Sequence, residues 1–467
     1  MKTRYVQNHL FLSKTGYFYL DFFRRLENTA GIMKRTDAPI FKHVPNGRAK
    51  KVEDFIRRSP IEQDADQIAA TVLNDIKRQG DVAVIRYANQ FDGSNVTPRT
   101  LRVSEKDIAA AACEVDAKFK AAAKEAHKRI SEFAQAGLRP DWTMPSPHGG
   151  FLGEKYVPLD RIGAYIPGGA APLASTALMT ITLAQVAGVP ERIACSPAGK
   201  SGKVNPYILY ALELAGATEI YKVGGIHAIG AMAYGTKSVP KVQKIVGPGG
   251  PYVTAAKRIV YGEVALDMVA GPSEIAVLAD DAANPAYVAA DLLSQAEHGS
   301  GSEKVLLVCL SEKFAAAVRA ELDVQSAKLL RQEPVSKVLA NGCLLAVAPN
   351  MDAAIELCNR FAPEHMEIMT KNPERVAKKI TAAGAIFIGP WTPESVGDFA
   401  AGPSHVLPTG GTAAYFSGLT VDDFRRRISL IHYTEEDLKA VTPVVEAFGR
   451  VETLDAHARA ATIRFEK

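Results

Sequence analysis

The sequence predicts an α/β protein built on two parallel-sheet units. Between residues 160 and 270, short apolar runs end in glycine turns and pass into helices, over and over. From Ile275 onward a second series of apolar strands alternates with helices. Strand, glycine turn and helix in repetition is how crossover connections build a parallel sheet. At 467 residues, 47% hydrophobic and 23% charged, the chain has room for more than one unit and the composition of an ordinary soluble protein. No run approaches the ~18 apolar residues of a membrane span, so no membrane partner is expected.

The chain opens with an extension, residues 1–47. Residues 1–60 hold 13 Lys/Arg against 5 Asp/Glu. That excess is diffuse, as in a solvated leader, and no nucleic-acid partner is expected from it. There is no apolar core with a small-residue cleavage site, so the leader does not read as secretory. Met33 begins a more ordinary stretch and is a candidate translation start. From about 60 to 135, apolar residues recur every three or four positions, predicting Ala-rich helices. Residues 136–160, rich in Pro and Gly, read as a connector of extended pieces.

The first α/β series follows. Strands are expected at 161–166, 193–196, 220–223 and 245–246. Asn205 and Pro206 cap one helix, and Gly224-Gly225 and the GPGG at 247–250 open two others. Glycines at strand ends let a ligand approach the backbone, and the helix N-termini behind them favour an anion such as a pyrophosphate. No G-x-G-x-x-G occurs here. The second series has strands at 275–279, 305–310, 344–348 and 386–388, with helices near 285–298, 314–322 and 354–358. After 410 the sequence turns charged and reads as helical. The domains expected are therefore 48–160 with 271–410 as the main unit, 161–270 as a second, and 411–467 as a C-terminal tail.

The chemistry centres on the stretch 291–298. Asn284 and Pro285 start its helix, and Gln295 and His298, three residues apart, share one face. Downstream lie the adjacent pair Glu364-His365, then Asp398, His405 after Gly402-Pro403, and His457. Gln295, His298, Asp398 and His457 offer two imidazoles, a carboxylate and an amide, a set that suits zinc or manganese. A neighbouring acid and imidazole can divide proton transfer and water activation. Spacing alone does not say that these residues converge. Five cysteines (113, 195, 309, 343, 358) are scattered without C-x-x-C, which argues for buried thiols in a reducing compartment.

Ten segments, AYIPGG, STALM, EIYKVGG, AYGT, KIVGPG, DMVAGPSEI, AADLLSQAEH, NRFAPEHMEI, TPESVGDFAAGPSHVLPTGG and the terminal LDAH, together resemble the histidinol dehydrogenase family and appear in its order over roughly 45–465. The resemblance implies two Rossmann-like parallel-sheet domains without the usual dinucleotide fingerprint, small helical terminal segments and an intertwined homodimer. It implies oxidation of L-histidinol to L-histidine by NAD, the last two steps of histidine biosynthesis, in the cytoplasm. Gln295, His298, Asp398 and His457 match the family's ligands for one zinc per subunit. Glu364 and His365 match its acid–base pair, and Ser273, His405 and Glu452 match substrate contacts, with the zinc ligands and His365 also lining the substrate site. Tyr165, His227 and Gly250 fall at NAD-contacting positions. Glu452 and His457 would come from the partner subunit.

Two cofactor positions depart from the family pattern. His227 stands where the family usually has glutamine, and Gly250 where it usually has asparagine. Ser404 replaces a common asparagine before His405. The metal and substrate positions are kept. Two other readings follow from that asymmetry: a sister dehydrogenase of another small alcohol, such as a sulfonated diol, and a zinc-binding relative without turnover.

Overall fold

The strands are, in chain order, β1 (Ile40–Lys42), β2 (Trp142–Pro145), β3 (Phe151–Pro158), β4 (Arg161–Tyr165), β5 (Glu191–Cys195), β6 (Glu219–Tyr221) and β7 (Lys244–Val246). They continue with β8 (Ala265–Leu266), β9 (Glu274–Ala279), β10 (Lys304–Cys309), β11 (Cys343–Val347), β12 (His365–Met369), β13 (Ala385–Ile388) and β14 (Arg425–His432). The computed structural model describes residues 38–42, 50–57, 63–168 and 172–466. The leader over 1–37 and the candidate start at Met33 lie outside the described residues.

Two sheets are wholly parallel. One runs β6-β5-β4-β7-β8 and the other β1-β11-β10-β9-β12-β13. Leaving β1 aside, both follow the same order: the first strand of each series lies in the middle, the next two add on one side and the last two on the other. Each sheet therefore has a switch point, between β4 and β7 in one and between β9 and β12 in the other, where successive crossovers leave in opposite directions and open a crevice.

The apolar runs explain why these strands lie inside. All six residues of β9 are buried. Ile275 and Val277 join a core formed with the helices Pro285–Ala296 and Glu312–Ser326, and Ala276 and Leu278 join another beneath the helix Met351–Phe361. Burial on both faces is what removes the alternation and leaves a continuous apolar run. Each fully buried aliphatic side chain contributes about 1.5–3 kcal/mol. The five-stranded sheet is covered in the same way. Ile162, Ala164 and Ile220 pack among the helices Ala117–Ala136, Ala174–Val186 and Pro206–Ala215. Tyr165, Ile193 and Ile245 pack among Gln63–Gln79, Gly225–Tyr234 and Pro251–Val260. The Ala-rich helices of 63–136 thus bury their apolar faces against the 161–270 sheet.

The connector and the tail meet in a third, antiparallel sheet, β14-β3-β2. The tail is thus not helical throughout: RRRISLIH is a strand, because its partner β3 supplies the ladder that the charged sequence alone does not reveal. β1, inside the expected leader, likewise becomes an edge strand by pairing with β11. Asp437 fastens the arm helix Glu435–Val451 to the β2–β3 turn, accepting from the Ser146 hydroxyl at 2.6 Å and the Gly150 N–H at 3.0 Å. The arm leaves Trp142, Ile431, Val444, Phe448 and Val451 exposed.

Candidate active site

Glu364 and His365 stand at the amino end of β12, next to the start of β9. The helix Met351–Phe361 ends at Ala362, whose φ of 47° is left-handed. A non-glycine residue rarely adopts that conformation, and here it turns the chain abruptly into Pro363 and the strand. Glu364 accepts the Glu274 N–H at 3.0 Å. His365 Nδ1 lies 3.2 Å from the Glu274 carbonyl oxygen and donates to it. That bond fixes the tautomer and leaves Nε2 as the basic nitrogen. Among the described residues Nε2 has no hydrogen-bond partner, with Asp398 Oδ1 at 3.7 Å and Glu394 Oε1 at 4.0 Å.

The remaining ligand candidates arrive from two helices. Pro285–Ala296 runs back along the sheet, so its last turn delivers Gln295 to the amino edge, with His298 just beyond it. Asn284 caps the start of this helix through the Ala286 N–H at 2.9 Å, as its sequence predicts. Asp398 and Glu394 share the short helix Glu394–Phe399, one turn apart. Among the described residues, ligand atoms of His298, Glu394 and Asp398 all lie within 4.8 Å of one another. Gln295 is fully buried, yet neither its amide oxygen nor its nitrogen has a partner among the described residues. A buried amide left unsatisfied beside an imidazole and a carboxylate is the arrangement that an oxygen- and nitrogen-binding cation would complete.

The electrostatics are those of a crowded site, buried at Glu364, His365 and Glu394 and more open at His298 and Asp398. Burial lifts the Glu364 carboxyl to about 8, against the opposing charge of His365. Burial by itself lowers the His365 imidazole, but Glu364, Asp398 and Glu394 outweigh it and raise the pKa to about 9. Burial would raise Asp398 too, yet His365 and His405 hold it below the usual carboxylate range. Glu394 is pushed up by burial and by the charge of Asp398. His405 lies beside this group, its Nδ1 3.1 Å from the Asp398 carbonyl oxygen and its Nε2 3.3 Å from the Thr176 hydroxyl. Thr176 opens the helix Ala174–Val186 behind β4. The carboxyl edge of the five-stranded sheet therefore meets the amino edge of the other at this point.

On the five-stranded sheet, Tyr165 ends β4 and its hydroxyl accepts the Gly225 N–H at 3.3 Å. His227 is buried, with Nε2 3.1 Å from Asp92 Oδ2, and the same carboxylate accepts the Gly224 N–H at 2.9 Å. Gly250 precedes the helix Pro251–Val260, and a Cβ there would meet nothing within 4 Å. Tyr165 and the 247–250 turn flank the β4/β7 switch point. A 430 Å³ cavity lined by Gly168, Pro197, Asn205 and Lys222 lies on this same edge, away from His365.

Comparison with known proteins shows the family. The family model for histidinol dehydrogenase matches residues 56–465. The chain belongs to the histidinol dehydrogenase family. A histidinol dehydrogenase of Heliobacterium mobile is 46% identical over 398 residues, 85% of this chain and 93% of that one. One from Carboxydothermus hydrogenoformans is 42% identical over 416 residues, 88% of this chain and 97% of that one. The crystal structure of histidinol dehydrogenase from Elizabethkingia anophelis superposes with a TM-score of 0.88 at 37% identity, covering 93% of this chain and 99% of that one. The chain is thus an NAD-dependent oxidoreductase acting on a small molecule, and the match favours histidinol over a sulfonated diol.

The structure brings Gln295, His298, Glu364, His365, Asp398 and His405 to one edge of one sheet, with Ser273 immediately before β9. Glu452 and His457 are exposed on the C-terminal arm, and His457 is outside the His298–Glu394–Asp398 cluster. Two residues of this neighbourhood escaped the sequence reading. Glu394 lies four positions before Asp398 in a segment already singled out, so helical spacing carried the signal. Asp92, the partner of His227, had none: it is 135 residues away.

Proposed function

We propose that the protein oxidises L-histidinol through L-histidinal to L-histidine, with two hydrides passing in turn to NAD⁺. The observation that carries this reading is the unpartnered Nε2 of His365 facing a cluster in which Gln295, His298 and Asp398 are poised to hold a cation. Gln295, His298 and Asp398 would hold one zinc, with His457 of a second copy as the fourth ligand. Zinc supplies there a charged anchor for the substrate's imidazole and amino groups, without redox chemistry. The exposed apolar arm fits the matching homodimer, in which Glu452 would also reach the second copy's substrate. Ser273 and His405 would contact substrate in this chain.

The charge of the bound cation would oppose the carboxylates that raise His365 and would keep Glu364 ionised. In the first step His365 Nε2 therefore takes the hydroxyl proton while the carbinol hydride leaves for NAD⁺, giving the aldehyde. In the second, ionised Glu364 takes a proton from water adding to that aldehyde. The hydrate then loses the second hydride, and its remaining proton, to give the carboxylate. No thiol takes part: Cys195, Cys309, Cys343 and Cys358 are buried. NAD would lie along the β4/β7 switch point, against Tyr165, His227 and Gly250. The domains divide accordingly, with the zinc and acid–base residues on the 271–410 unit, the cofactor on 161–270 together with the helices of 63–136, and the tail of 411–467 reaching the partner. Among the described residues no helix is long and apolar enough to cross a membrane. The buried thiols suit a reducing cytoplasm.

The test is NADH formed per L-histidinol consumed by the zinc-loaded protein. About two NADH per substrate is the expected result, since each hydride carrier accepts one hydride. His365→Asn should abolish turnover. No NADH at any NAD⁺ concentration would overturn the assignment.

A further inference from the structure

We propose that Lys257 and Asp267 are cofactor-positioning residues, a buried ion pair that holds the 247–250 turn against the end of β4. This rests on the reading that NAD occupies the β4/β7 crevice. Lys257 projects from the helix Pro251–Val260, and Asp267 follows β8. Their side chains are 2% and 0% exposed and form a salt bridge with each other. Both also grip one residue. The Gly247 N–H donates to Asp267 Oδ2 at 2.7 Å, and the Gly247 carbonyl oxygen accepts from Lys257 Nζ at 2.9 Å. Asp267 Oδ1 accepts the Met268 N–H at 2.6 Å, so its carboxylate is held in place in turn.

Gly247 is the residue that sets the crevice wall. Its φ of +111° is open only to glycine, and a Cβ there would overlap the Tyr165 carbonyl oxygen. The end of β4, with Tyr165, and the start of the 247–250 turn are thus in backbone contact. A shift of either one moves the other.

Stability alone does not call for two charges at this place. A well-packed apolar pair of the same volume is commonly as stable as a buried ion pair, because desolvation offsets the Coulomb attraction. What an apolar pair lacks is directed bonding to both peptide groups of one residue. Charge-assisted bonds to an N–H and to the neighbouring carbonyl fix the plane of the turn as well as its place. A pre-set turn spares the cofactor the cost of ordering it, and the effect falls on cofactor binding, not on the zinc edge of the other sheet.

The experiment uses the zinc-loaded enzyme with Lys257→Met and Asp267→Asn. Asp267→Asn keeps an oxygen for the Gly247 N–H and removes the charge, so it reads the clamp even where Lys257→Met folds poorly. The expected result is a KM for NAD⁺ raised on the order of tenfold, as for a small misplacement of a binding element. Zinc content and the KM for histidinol should stay at the wild-type values. Folded variants with an unchanged KM for NAD⁺ would overturn the clamp, whatever their melting temperatures. Hydrogen exchange on the wild-type protein serves as an independent measurement. Residues 245–250 should be protected before NAD⁺ is added, and free exchange there would also overturn it. NAD⁺ should further slow exchange at 165–168 and 247–250. Protection elsewhere would remove the crevice reading, whereas protection there with normal variant kinetics would remove only the clamp.

Discussion

Gly384 offers a sharp test of how tightly the proposed acid–base pair is held. It lies between the Pro363–Glu364 segment and β13, where its N–H bonds the Pro363 carbonyl oxygen at 2.9 Å and the Ala385 N–H bonds that of Glu364 at 2.9 Å. In Gly384→Ala the new Cβ would stand 2.6 Å from the Glu364 carbonyl oxygen, with Leu407 Cβ and Pro408 Cδ each 3.2 Å away on other sides. Ordinary contact begins near 3.4 Å, so the Glu364 backbone must give way by about 0.8 Å. Overpacking of this kind costs about 1–3 kcal/mol, leaving the chain folded but with a lower melting temperature. The displacement is passed directly to Glu364 and His365, and misplacement near an ångström costs on the order of 10²-fold in rate. Steady-state NADH formation at saturating substrate, with a thermal melt on the same sample, measures both. A folded variant whose kcat stays within about twofold of wild type would refute the claim that this backbone sets the catalytic geometry.

Other outcomes follow from the same coordinates. In zinc-free protein, Glu364 and His365 both bind protons more tightly folded than unfolded, with pKa values of about 8 and about 9. Their contribution is therefore complete below their ordinary values of 4.5 and 6.5 and is lost as pH rises through the raised ones. Melting temperature in chelator should fall from pH 6 to pH 9, and a Glu364→Gln variant should flatten the lower part of that fall; an unchanged slope would contradict it. Gly250→Asn meets open space at an extended N-cap position, so it should fold normally, cap its helix, and lower the KM for NAD⁺, measurable by NAD⁺ titration at fixed histidinol. Cys113 is exposed, while burial drives the other four thiols up, Cys195 and Cys343 to about 12. A disulfide-exchange reagent should therefore titrate one thiol in native protein and five after unfolding, with no loss of activity in the first case.

The order of secondary structure was legible because local signals repeat. Asn205-Pro206 and Asn284-Pro285 cap helices as expected, and glycines mark the strand ends. The strands that were missed include β1, β8, β12 and β14, each held by a partner strand that its own stretch of sequence does not name. The same division holds within the site. Gln295 and His298 share a face by spacing, and Glu364 and His365 are neighbours in sequence, so their candidacy required no coordinates. Convergence with Asp398 and His405 required the adjacency of β9, β12 and β13.

Local chemistry in the sequence was thus sufficient for the parallel α/β architecture, for most of the metal-ligand and acid–base candidates, and, through ordered motifs, for the family. Tertiary structure alone decided three things. It placed the candidate acid–base pair at the amino edge of its sheet while the 247–250 turn lies at the carboxyl edge of the other, tied His227 to Asp92, and brought the Glu394–Asp398 helix to His365. The reason is physical. Helix and strand periods are written in the nearest few residues, whereas a buried charge or an unsatisfied amide acquires its meaning from groups brought to it by strand order.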